Sequence, residues 1–181
     1  DVVGARPLED VVALALVACS SLAPIRTERA VDLERFMGDW YVIANIPTFL
    51  ETGAHNAVES YRLAEDGTIA TTFSYRADGF AGELKTYHPT GFVVDRVSNA
   101  VWEMQFHWPF KADYRIVYVD PDYRRTIVGR NQRDYVWIMA RDSQIDEADY
   151  QGLLSLLATE GYDVSAIQRV PHRWLPGEPL H

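Results

Sequence analysis

Val101-Trp102-Glu103-Met104-Gln105-Phe106-His107-Trp108 alternates large apolar side chains with polar ones over its whole length. A period of two is the signature of a strand with one face in a core and the other toward water. Working outward, the same period recurs from Phe36 to Arg141 with turn signals about every ten residues. Trp40, Val42, Ala44 and Ile46 alternate with Tyr41, Ile43 and Asn45, both sets rather apolar, so this strand is expected to be covered on both sides. Asn56 to Leu63 and Thr68 to Tyr75 flank Glu65-Asp66-Gly67, a short hairpin turn. Leu84 to Asp95 is interrupted at Pro89-Thr90-Gly91, where proline removes a ladder donor. Ala112 to Val119, Arg125 to Arg130 and Tyr135 to Arg141 complete eight strands at hairpin spacing.

After Arg141 the period changes. Asp142 to Asp146 is rich in helix-capping side chains, Tyr150, Leu153, Leu154, Leu157 and Ala158 follow at helical spacing, and Gly161 supplies the stop. One helix cannot cover both faces of an open eight-stranded sheet. Closing the sheet on itself buries the most apolar surface, so the expected fold is all-β: an eight-stranded antiparallel up-and-down β-barrel with a C-terminal α-helix packed on its outside. Ile167 to Val170 reads as one short extra strand. Pro171 to His181, with three prolines, reads as a loose tail.

The chain of 181 residues carries 17 basic and 26 acidic side chains, a net charge of -9. An acidic chain lacks the basic surface that grips phosphates, so no nucleic-acid partner is expected. Hydrophobic residues make up 48%, which excludes wholesale disorder. Cys19 is the sole cysteine, which rules out an intramolecular disulfide and a cysteine metal cluster. His55, His88, His107, His172 and His181 include no pair at metal-ligand spacing, so no metal site is expected. Arg124, Arg125, Arg130 and Arg133 read as one locally basic end.

Val11 to Ala18 is a short apolar run ending in small residues, the shape of a secretory leader. Leu16-Val17-Ala18-Cys19 resembles a bacterial lipobox, in which the cysteine becomes the lipidated first residue. Residues 1–18 are therefore expected to be a signal segment, Cys19 the lipidation site and 19–31 a linker to a barrel domain over 32–170. Ser20 after the cysteine resembles the sorting signal for the outer membrane.

Gly38-Asp39-Trp40-Tyr41 opens the first strand, Asp122-Tyr123 follows the sixth, and Arg141 ends the eighth. In that order, at strand ends, with one helix following, these residues resemble the lipocalin signature. Tyr123-Arg124-Arg125, Arg133-Asp134-Tyr135, Trp108-Pro109-Phe110 and Glu160-Gly161-Tyr162-Asp163-Val164-Ser165 are similar to segments of the bacterial outer-membrane lipoprotein lipocalins, which are also close to apolipoprotein D. The resemblance implies that Gly38, Trp40, Tyr41, Asp122, Tyr123 and Arg141 are structural. Arg141 would stack on Trp40 to seal one end, plugged by Leu33 and Phe36.

It also implies a lipid-binding protein on the periplasmic side of a bacterial outer membrane, lipid-anchored, able to pair as a homodimer through its open ends. Taking Trp40, Tyr135 and Trp137 as inward on that resemblance, alternation makes Val42, Ala44, Tyr61, Ile69, Thr71, Phe73 and Val93 inward, with Trp102, Met104, Phe106, Tyr114, Ile116 and Tyr118. Such a wall suits a fatty acid or lysophospholipid. A palmitate tail of sixteen carbons would gain at most about 12 kcal/mol from burial, less several for binding entropy. A haem-carrying lipocalin needs an inward histidine, whereas His107 faces opposite to Phe106, so no cofactor is expected. Glu59 shares the inward parity of Tyr61. Two alternatives to a non-enzymatic carrier stay open: a lipocalin-fold enzyme using Glu59 and a cavity tyrosine, and a packed barrel acting as an interaction module.

Overall fold

The computed structural model describes residues 23–181. The expected signal segment and Cys19 lie outside the described residues. A one-turn helix, α1 (Leu33–Phe36), leads into β1 (Gly38–Ile46), β2 (Ala54–Leu63), β3 (Ile69–Ala77), β4 (Leu84–Tyr87) and β5 (Thr90–Val93). Then come β6 (Val101–His107), β7 (Phe110–Val119), β8 (Arg125–Gly129), β9 (Val136–Ala140), the helix α2 (Glu147–Thr159) and a two-residue strand, β10 (Gln168–Arg169). Each strand pairs antiparallel with its neighbour, and β9 returns to β1, so the sheet closes. β4 and β5 both pair with β3 and together form one stave. The break falls at His88-Pro89. Pro89 has no donor, but its carbonyl accepts from the Thr71 N–H at 3.1 Å, which keeps the stave in the sheet. The result is the expected eight-stave barrel, and β10 adds to the β1 edge as anticipated for Ile167 to Val170.

Two apolar clusters result. One fills the barrel around Phe36, Trp40, Tyr61 and Trp102. The other lies outside, where Tyr150, Leu153 and Leu157 of α2 press on Ile43, Ile127, Ile138 and Ala140. This second layer explains why β1, β8 and β9 are apolar on both faces.

Strict alternation fails at two of the expected inward positions. Val42 pairs with Met139 and Ala44 with Ile138, leaving Ile43 as an extra residue. This bulge turns Ala44 out, against α2. Likewise Ile116 pairs with Val128 and Tyr118 with Ile127, so Val117 is extra and Tyr118 packs with the outer cluster. Met139 and Val128 take inward places instead.

The flanking segments are also more ordered than their composition suggests. Of the expected linker 19–31, the described part is bound to the wall: Glu28 N–H donates to Ile116 O at 3.0 Å, and Val31 N–H to Ser98 O at 2.7 Å. The tail from Pro171, expected to be loose, runs across the outside of β1, β2 and β3. Asn56 exchanges two hydrogen bonds with the Arg173 backbone, at 2.9 and 2.8 Å. The Trp174 ring meets Tyr41 edge-on, and Ser74 Oγ donates to Leu180 O at 2.9 Å. The four arginines read as one basic end are split, because β8 carries Arg125 at one end of the barrel and Arg130 beyond the other.

Candidate functional site

The barrel has one closed and one open end. At the closed end the chain must cap the short helix α1. Trp40, fully buried, donates its indole N–H to Phe36 O at 2.8 Å. The Arg141 guanidinium lies 3.7 Å above the Trp40 ring and donates to the carbonyls of Arg35 (2.9 Å), Met37 (2.9 Å) and Asp39 (2.8 Å). The carbonyls of Arg35 and Met37 are orphan acceptors of the kind expected at a helix end, here satisfied by one side chain. Burial lowers the Arg141 pKa to about 10, so the group remains charged at neutral pH. Tyr123 completes the lid: its backbone adopts a φ of 56°, its hydroxyl accepts from Asp32 N–H at 2.8 Å, and its carbonyl accepts from Arg141. Asp122 is exposed, and the turn is capped by Asp120, which accepts from the Arg124 N–H at 2.7 Å.

The open end leads into a cavity of about 300 Å³. Its walls come from Phe73, Met104, Phe106, Tyr114, Tyr135 and Trp137. Phe49, Trp108 and Phe110 are exposed around the same end. The cavity stops half-way down, because Trp40, Phe36, Tyr61 and Trp102 pack the remainder.

The segment between β1 and β2 covers part of the mouth: Thr48, Phe49, Leu50 and Glu51 all line the cavity. Glu51 ties it down. Its buried carboxylate accepts from Trp137 Nε1 at 2.7 Å, and from the Thr48 N–H and hydroxyl at 2.9 and 2.8 Å. Burial raises its pKa despite those donors. At the floor lies a second buried carboxylate, Glu59. The Tyr61 hydroxyl donates to Glu59 Oε2, and the Tyr61 and Tyr114 hydroxyls are 2.6 Å apart. Burial, opposed by the Tyr61 hydrogen bond and aided by the nearby Glu51 charge, pushes Glu59 up to about 7.

Residues 31–172 match the family model described as "Lipocalin-like domain". The chain belongs to the lipocalin family. It is 30% identical to "Temperature-induced lipocalin-1" of Arabidopsis thaliana over 159 residues, 83% of this chain and 84% of that one. It is 31% identical to "Outer membrane lipoprotein Blc" of Escherichia coli K12 over 157 residues, 84% of this chain and 88% of that one. Among solved structures, the cockroach allergen Per a 4 superposes with a TM-score of 0.64 at 21% identity, covering 84% of this chain and 96% of that one, which shows the shared fold.

In this lipocalin the residues read as ligand-lining divide into three groups. Phe73, Met104, Phe106, Tyr114, Tyr135 and Trp137 face the cavity. Val42, Tyr61, Ile69, Thr71, Val93, Trp102 and Ile116 point inward but are buried in or beside the packed lower half. Ala44 and Tyr118 face out. His107, expected to point outward, stands on the cavity rim, because the β6–β7 pairing shifts register between Met104 and His107. Glu51, Ala112, Asp113 and Arg130 were not legible as lining. Glu51 in a loop looks solvated, and only the need of the half-buried Trp137 indole for an acceptor hints at it.

Proposed function

We propose that this lipocalin carries a small amphiphile, a fatty acid or lysophospholipid, in the open half of the barrel, and that it binds without performing chemistry. The observation that carries the reading is the open cavity of about 300 Å³ walled by Phe73, Met104, Phe106 and Trp137. That volume is at the low end for ligand pockets, so a long chain would leave its head outside. Arg130 on the rim suits an anionic head. Its guanidinium stacks 5.2 Å from the Tyr135 ring centre, and its buried Nε makes no hydrogen bond among the described residues, with the Asp134 carboxylate 3.4 Å away. Binding without turnover is supported by the lining: it contains no serine or cysteine, and its one aliphatic hydroxyl, on Thr48, already donates to Glu51.

The test is native mass spectrometry of the chain from Ser20 onward, purified from bacteria, followed by organic extraction. Wild type is expected to carry an acyl lipid. Ala112→Trp, which fills the cavity from β7, is expected to weaken binding of added palmitate or lysophospholipid at least about tenfold. Bare protein that also ignores both added lipids would make the packed barrel the better reading.

We further propose attachment through Cys19 to the periplasmic side of a bacterial outer membrane. Leu16-Val17-Ala18-Cys19 supports this, as does the likeness to a relative named as an outer membrane lipoprotein. In cells fed a fatty-acid analogue, wild type should take up the label and Cys19→Ala should lose it. Equal labelling of the two would end the anchor proposal.

A further inference from the structure

The floor of the cavity is polar, and its hydrogens are already committed. Tyr61 has one hydroxyl hydrogen, and it goes to Glu59 Oε2. The 2.6 Å contact between Tyr61 and Tyr114 must therefore be donated by Tyr114, which spends its only hydrogen as well. With Glu59 ionised, what remains toward the cavity is its second oxygen and the free lone pair of Tyr114, both acceptors. Both residues line the cavity, and among the described residues no side chain donates to Glu59 Oε1.

A plain alkyl end pushed onto this floor would displace water from an acceptor and return nothing. A carboxylate end would set acceptor against acceptor beside a second acid, Glu51. A hydroxyl fits. It can donate to ionised Glu59, and it can accept from the protonated acid, so it suits a carboxyl that titrates near neutrality.

We propose that the ligand held by this cavity carries a hydroxyl group at the inner end of its apolar segment, which donates to Glu59. The inference rests on the amphiphile reading and narrows it to hydroxylated chains. An ω-hydroxy acid would satisfy both ends, with its carboxylate at the Arg130 rim and its hydroxyl on the floor.

The experiment titrates delipidated full chain, above neutral pH, with three probes of equal length: a fatty acid, its ω-hydroxy derivative, and the keto acid with its carbonyl on the penultimate carbon. The series runs from octanoic to palmitic length and is compared at the length that binds best. Wild type should bind the hydroxy acid about tenfold more tightly than either of the others. In Glu59→Gln the amide oxygen takes the Tyr61 hydrogen bond and the amide NH₂ turns to the cavity. The keto acid should then bind at least as well as the hydroxy acid. Glu59→Leu, if it folds, should favour the plain fatty acid. Equal binding of all three probes by wild type would overturn the hydroxyl inference and leave the amphiphile reading standing. An undiminished hydroxyl preference in Glu59→Gln would overturn the role of Glu59. No binding of any probe at any length would overturn both readings.

Discussion

Trp40→Ala should lower the unfolding free energy by about 3–5 kcal/mol, the range for deleting a large buried ring. For a chain of this size that corresponds to a fall in Tm of about 10 °C. The indole is fully buried, its ring centre is 5.2 Å from that of Phe36, and its N–H holds the Phe36 carbonyl. It is also the platform for Arg141, which satisfies the carbonyls at the end of α1. Losing the ring therefore opens a cavity and unseats the guanidinium together. A double-mutant cycle with Arg141→Met should show coupling of about 0.5–2 kcal/mol, the double variant losing less than the sum of the two single losses. Urea unfolding of the four proteins measures this. A loss below about 1 kcal/mol for Trp40→Ala would mean that the closed end is held by something else.

Glu59 gives the second large effect, and its sign follows from linkage. In the folded chain its carboxyl titrates at about 7, against 4.5 for the ordinary group. Between those values the unfolded chain releases the proton while the folded chain keeps it. Stability therefore falls as pH rises through that window and levels off above about 7, where both forms are ionised. The full drop is about 3 kcal/mol. Glu51, also shifted upward by burial, contributes in the same direction. Asp66 and Asp95 act the other way, since hydrogen bonds from Thr68 and Ser98 lower them. Those groups are common to wild type and Glu59→Gln, so the difference between the two proteins isolates Glu59. Relative to the variant, wild type should lose about 3 kcal/mol between pH 4.5 and 7. Parallel stability curves for the two proteins would refute a buried, proton-holding Glu59.

Much of the barrel could be read before any coordinates. The run from Val101 to Trp108 became β6, the Pro89 interruption became the break between β4 and β5, and the helical spacing from Tyr150 became α2. Alternation and turn chemistry are local properties, so a linear reading reaches them. The inward parity of Glu59 was legible for the same reason. Ala44 and Tyr118 were misassigned because a bulge depends on how two strands pair, and Ile43 and Val117 look like ordinary apolar strand residues until their partners on β9 and β8 are known. The tail was misread because its order comes from Asn56 and Tyr41, more than a hundred positions away.

By itself, then, the sequence determined the stave count and the closing of the sheet, since both follow from periodicity and turns, while the lid residues Trp40 and Arg141 came from the resemblance to the lipocalin signature. Only the tertiary structure decided how far the barrel is hollow. Inward side chains are the same apolar and aromatic types whether they touch one another or a ligand. The difference is whether side chains from opposite walls meet, as Trp102 and Phe36 do below, or stand apart, as they do around Met104 and Trp137 above. The commitment of every floor hydrogen to Glu59 and Tyr61 is likewise a property of three side chains brought together from β2 and β7, which no single stretch of chain contains.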